Sequence, residues 1–169
     1  MPRMTRLPPR LALALATLAA AIALGTAFAA EWWGGLVPCA LCLVERWPYR
    51  IAIAAGLIGF VLPPRIGRWA LLGMLLTGLA SVAIGATHVG VEFGWWPSPL
   101  PECAAPHFIE GSIAERLRSM PALPSKSCED PVYLVEGFPL SFAQSGFLYA
   151  LLFSAGTALL LARTGRRNT

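Results

Sequence analysis

Gly35-Leu36-Val37-Pro38-Cys39-Ala40-Leu41-Cys42-Leu43-Val44-Glu45-Arg46-Trp47-Pro48-Tyr49-Arg50 leads directly into Ile51 to Leu62, a run of 12 residues without a charge. As a helix that run is only about 18 Å long, short of the roughly 30 Å hydrocarbon core of a bilayer. It spans only if the helix starts near Leu43, which brings Glu45, Arg46 and Arg50 to the membrane boundary or slightly inside. Ionisable groups at that depth are costly and mark functional positions, although an arginine near a helix end can snorkel to the interface. Pro48 either kinks the first turns or marks the point where a regular helix begins.

Three other segments decide whether this one belongs to a bundle. Leu11 to Ala30 is 20 residues without a charge, and Trp69 to Val89 and Phe142 to Ala162 are 21 residues each. Across the 169 residues, 56% are hydrophobic and 13% are charged, about half the charge of a soluble domain. The composition is that of an integral membrane protein. The pI of 9.2 does not point to nucleic acid, because the basic residues sit at segment ends and form no single patch. We expect an all-α, four-helix transmembrane bundle forming one membrane domain over residues 1–169. Its spans lie at about 11–30, 43–62, 69–89 and 142–162, with outer loops at about 31–42 and 90–141.

Charge assigns the sides. Arg3, Arg6, Arg10, Arg65, Arg68, Arg163, Arg166 and Arg167 fall on one side of such a bundle, eight of the 13 basic residues. All nine acidic residues, from Glu31 to Glu136, fall on the other. By the positive-inside rule both termini are cytoplasmic and both loops face outward, taking all four cysteines with them. Arginines followed by an apolar run and Ala27-Phe28-Ala29 also have the outline of a cleavable signal peptide, though the run is longer than its usual apolar region. In the second loop, His107 to Met120 groups Phe108, Ile109, Ile113, Leu117 and Met120 against charged residues, the pattern of a short amphipathic surface helix.

The cysteines fall as Cys39 with Cys42 in the first loop and Cys103 with Cys128 in the second. Four cysteines on an oxidising face allow three connectivities. The most local one pairs Cys39 with Cys42 and leaves Cys103–Cys128 to close the long loop, a constraint worth roughly 3.5 kcal/mol in the chain-entropy model. A zinc site built from all four is the metal alternative and needs both loops to converge. A two-residue spacer closes too small a ring to stabilise much, so Cys39–Cys42 is poorly explained as a staple. At a helix N-terminus the dipole favours a thiolate, and Arg46 lies one turn beyond Cys42. A Cys42 thiolate beside the Arg46 cation, level with the lipid surface, suits a membrane-borne electron acceptor such as quinone. The chain shows no flavin fingerprint, haem ligand pair or iron–sulfur spacing.

The motif GLVPCALCLVERWPYR resembles the signature of the disulfide bond formation protein B (DsbB) family of bacterial inner-membrane thiol:quinone oxidoreductases. The likeness covers most of the chain, including HVGVEFGWWPSPLPEC ahead of the second cysteine pair. It implies that Cys39–Cys42 is the quinone-coupled disulfide. It also implies that Cys103–Cys128 is the shuttle disulfide that meets a periplasmic thioredoxin-like oxidase (DsbA-like). Arg46, and more weakly His88, match residues beside the quinone, whether ubiquinone or menaquinone. No metal is implied. The chain departs from the family pattern after Cys128, where Glu129-Asp130-Pro131-Val132-Tyr133 contains no tryptophan. The alternative is a non-catalytic membrane assembly or scaffold protein with two structural disulfides.

Overall fold

The computed structural model describes residues 7–103, 112–114, 126–133, 137 and 139–164, with Pro64 and Arg65 as backbone only. Among them are four long helices: α1 (Pro9–Trp32), α2 (Ala40–Val61), α3 (Pro64–Glu92) and α4 (Phe142–Arg163). A short 3-10 turn (Pro101–Cys103) lies between α3 and α4, and the described residues contain no strand. The expected surface helix at 107–120 falls outside the described residues apart from 112–114.

Each helix starts where its local chemistry permits. Pro9 and Pro64 occupy the first turns of α1 and α3, where a missing N–H costs nothing. α4 opens with a capping box: the Ser141 hydroxyl accepts from the Gln144 backbone N–H, and the Gln144 side chain accepts from the Ser141 N–H. Cys39 caps α2, its sulfur accepting from the Cys42 N–H. α2 therefore begins at Ala40, ahead of both starting points that the sequence suggests, and Pro48 lies inside it. At 22 residues α2 is about 33 Å long, enough to cross a bilayer. α1, most of α3 and α4 are also apolar enough to cross. The polar first turns of α2 set it apart from those three.

The helices share one core. Ala12, Leu13, Ala16 and Ala20 of α1 meet Ala52 of α2, Leu71 and Met74 of α3 and Phe153 of α4, all buried. α3 forms the largest interfaces, with α2 on one side and α4 on the other. The Tyr149 hydroxyl donates to the Ala19 carbonyl at 2.7 Å and so ties α4 to α1. Leu152, Val61, Leu18 and Trp69 are exposed, as befits helices facing lipid.

Glycine permits the closest approaches. A Cβ on Gly78 would stand 2.7 Å from Ser154 Oγ, and one on Gly85 would stand 3.2 Å from the Phe147 Cα. Gly146 faces the Glu45 carboxylate, whereas a Cβ on Gly73 or Gly156 would meet nothing within 4 Å. Gly85→Val is expected to destabilise the bundle by about 1–3 kcal/mol, because the obstructing atom is backbone. Thermal unfolding in detergent checks this, with Gly73→Val as the control that leaves the midpoint in place.

Candidate functional site

The cysteine pairs, expected from two separate loops, pack into one cluster. Cys39, Leu41, Val91, Cys103 and Cys128 are buried together, with Cys42 and Leu100 against them. Cys103 and Cys128 form a disulfide, with the Cys128 N–H and the Ser127 hydroxyl both donating to the Cys103 carbonyl. The Phe142 N–H donates to the Val132 carbonyl at 2.7 Å. The Ser141 hydroxyl donates to Glu92 Oε2 at 2.7 Å, so the strand of loop after Cys128 is pinned to the ends of α3 and α4.

Cys39 and Cys42 carry free thiols whose sulfurs lie 2.6 Å apart, so an S–S bond can close with little backbone movement. In this dithiol the contact with the Cys42 thiol lowers the pKa of Cys39, assisted by the Cys42 backbone N–H, against the opposing effect of burial. The geometry thus favours Cys39 as the sulfur that ionises first, where the sequence pointed to Cys42. Reactivity of the reduced pair is expected to fall as pH drops through the lowered Cys39 pKa, and to be flat above it. Labelling across pH checks this by the midpoint for each thiol normalised to its own plateau, which should lie lower for Cys39 than for Cys42.

The other side of Cys42 opens on a cavity of about 400 Å³, within the range of small-molecule sites. Its walls are mostly apolar, with Ala23, Leu24 and Ala27 of α1, Val37 of the first loop, and Phe142 and Tyr149 of α4. Cys42, Glu45, Arg46 and Glu31 supply the polar rim. Cys42 and Arg46 both line it, which shows that Pro48 leaves these i and i+4 residues on one face.

Arg46 is buried at 7% exposure. Its Nη1 donates to Glu31 Oε2 at 2.7 Å, and the guanidinium carbon lies 5.0 Å from the centre of the Phe28 ring. Its Nε is buried and has no hydrogen-bond partner. A buried guanidinium donor left unpaired is costly, and an acceptor oxygen entering the cavity would remove that cost. Arg50 is exposed beside Trp47, 5.2 Å from its ring centre, as a snorkelling arginine would be.

His88 lies on the far side of the cysteine pair and does not line this cavity. Its Nε2 is 3.5 Å from Cys39 Sγ, and its Nδ1 is 3.1 Å from Glu45 Oε1. The donor atoms of Cys39, Cys42 and His88 lie within 4.8 Å of one another, a composition able to ligate a metal. Two thiolates on one zinc ion stand about 3.8 Å apart, however, so the 2.6 Å sulfur separation matches a closing disulfide better. The disulfide between Cys103 and Cys128 withdraws both from a four-cysteine zinc site. That Glu31 and Glu45 partner Arg46 and His88 is not evident from the sequence. The cost of a carboxylate at membrane depth was the available signal for Glu45.

A multi-pass helical membrane protein with a Cys-x-x-Cys pair buried against a second disulfide is a membrane thiol–disulfide protein. The chain belongs to the DsbB family: the family model for disulfide bond formation protein DsbB matches residues 9–162. A disulfide bond formation protein B of Pasteurella multocida is 28% identical over 135 residues, covering 70% of this chain and 71% of that protein. An uncharacterized protein of Rickettsia prowazekii is 28% identical over 147 residues, covering 86% and 84% respectively. No solved structure matches the chain. Family and cysteine geometry together support a disulfide-forming role.

Proposed function

We propose that the chain is a thiol:quinone oxidoreductase of the bacterial inner membrane, one membrane domain with cytoplasmic termini and outward-facing cysteines. It reoxidises a periplasmic thioredoxin-like dithiol oxidase. The observation that carries this reading is the placement of Cys42, which faces a buried cysteine cluster on one side and an apolar cavity with an unpaired arginine donor on the other. Quinone fits that cavity as a flat apolar ring with carbonyl oxygens, and when bound it supplies a two-electron, two-proton sink. Arg46, with its unpartnered Nε and its guanidinium fixed by Glu31, would hold a quinone oxygen and would stabilise negative charge there. Cys42 is the sulfur on the acceptor side.

On the other side, the reduced partner attacks Cys103–Cys128, and the resulting thiols reduce Cys39–Cys42 through a mixed disulfide. Both pairs are already packed in one cluster, which supports exchange over a short path. The test uses the chain in lipid nanodiscs with quinone. Cys103→Ser together with Cys128→Ser should stop oxidation of a thioredoxin-like partner yet leave quinone reduction by a small dithiol intact. Equal rates with the partner would overturn the relay order.

A further inference from the structure

Closing the Cys39–Cys42 disulfide requires more than electron transfer. Two S–H bonds break as the S–S bond forms, and two electrons and two protons must leave the sulfurs. Arg46 and Cys42 account for the electron side, but neither is a base for Cys39.

The described side chains provide one. Cys39 Sγ, His88 and Glu45 form a continuous chain of contacts, 3.5 Å from sulfur to Nε2 and 3.1 Å from Nδ1 to the carboxylate. That is the order of a nucleophile, its base and the carboxylate that orients the base. The chain also joins two cavities. A void of about 10 Å³ is lined by Cys39, Cys42, His88, Glu92 and Cys128, where the cysteine pairs meet. Glu45 is absent from that void and lines the large cavity, while Cys39 and His88 are absent from the large one. The second carboxylate oxygen of Glu45 turns toward Gly146, a residue of the large cavity, 3.7 Å from where a Cβ there would stand.

We propose that His88 is the acid–base residue for Cys39, and that Glu45 orients it and passes the proton on toward the acceptor cavity. The proposal takes the quinone reading as its starting point. The Cys39 proton moves to Nε2 as its sulfur bonds to Cys42, and the Nδ1 proton moves to Glu45, which releases it at the wall of the large cavity. The electron pair from the two sulfurs goes to the quinone, which takes up two protons. One arrives by this route and the other comes from the Cys42 thiol, which already faces the cavity. In the reverse direction, when Cys39 is released as a leaving group in thiol exchange, His88 returns the proton.

Three other titratable groups face His88. Cys42 lies beside Cys39 on α2. Glu92 is on α3, with Oε2 held by Ser141 and Oε1 unpartnered. Asp130, ahead of α4, lines the same void. Glu92 and Asp130 are the competing bases, so the test includes both.

In a Cys42→Ala chain with Cys103–Cys128 intact, Cys39 is the single thiol, and thiolate absorbance near 240 nm follows its ionisation without quinone or partner. His88→Gln should raise the ionisation midpoint by at least about one pH unit, a tenfold loss of thiolate below it. Glu45→Gln should raise it less, and Glu45→Asp should recover part of the difference. Glu92→Gln and Asp130→Asn should leave it in place. Helical circular dichroism confirms folding of each variant, and Glu45→Gln carries the test where His88→Gln fails to fold. An unmoved midpoint in both His88→Gln and Glu45→Gln overturns the proposal, as does a midpoint set by Glu92 or Asp130. In the parent chain, Glu45→Gln should slow quinone reduction about 10-fold or more while reduction of Cys39–Cys42 by a dithiol continues. A shifted midpoint in a chain that never reduces quinone would retain the thiol base and refute the quinone reading.

Discussion

Cys42→Ser should lower quinone-dependent thiol oxidation by at least about 10³-fold, the scale on which loss of a covalent nucleophile acts, while the protein stays folded. The serine hydroxyl keeps the size of the side chain but cannot form a disulfide or give up the electron pair. The fold tolerates the change because the cap of α2 uses the Cys42 backbone N–H and the Cys39 sulfur, not the Cys42 side chain. Cys103–Cys128, the capping box at Ser141 and the Tyr149–Ala19 hydrogen bond are untouched. Quinone reduction in lipid nanodiscs, with circular dichroism as the folding control, checks this. A scaffold protein with two structural bridges requires the opposite: no oxidase activity in either form, and a stability change of the kind expected when a bridge is lost.

Arg46→Leu is expected to have the next largest effect, a fall of about 10²–10³-fold in quinone reduction at saturating thiol. Leucine fills much of the space above the Phe28 ring but removes the unpaired Nε donor and the only cation on the cavity wall among the described residues. Arg46→Lys separates the two contributions. It keeps a charge within reach of Glu31 but loses the planar donor set, so it should recover binding of quinone better than its turnover. Glu31 loses its partner in Arg46→Leu but is one-third exposed, at 32%, and remains hydrated, so the fold should persist. Rates with quinone titrated at fixed thiol, compared with rates of Cys39–Cys42 reduction by a dithiol, distinguish an acceptor defect from a general one.

The four helices were legible because membrane crossing imposes length and apolarity on sequence directly. Arg65 with Arg68, and Arg163 with its neighbours, punctuate the chain where the helices end. The start of α2 was less legible. Cys39 does not look like a helix cap, because its capping depends on a sulfur lone pair aimed at the Cys42 N–H, and Pro48 reads as a boundary although it lies in mid-helix. Cys39, Cys42 and Arg46 could be found because their spacing along one element carries the chemistry. Their partners could not. Glu31 reaches Arg46 from α1 across 15 positions, and Glu45 reaches His88 across 43, so both pairings exist only once the helices pack. His88 shows the same limit. Its position at the end of α3 placed it near the site, but only the rotation of α3 against α2 directs it to Cys39 and away from the large cavity. The convergence of the two cysteine pairs likewise depends on packing: the turn at Pro101–Cys103 and the segment at Cys128 close over the start of α2.

The most direct test of the central claim is an anaerobic count of products. The purified chain in lipid nanodiscs is mixed with quinone and a reduced thioredoxin-like dithiol protein. Quinone is followed by its ultraviolet absorbance, and the partner's thiols are followed by alkylation and mass. Quinol and new partner disulfide should appear in equal amounts, at a rate proportional to the chain, with none formed when Cys42 is replaced by serine. Partner disulfide without quinol, or quinone that stays oxidised while the chain remains folded, would contradict it.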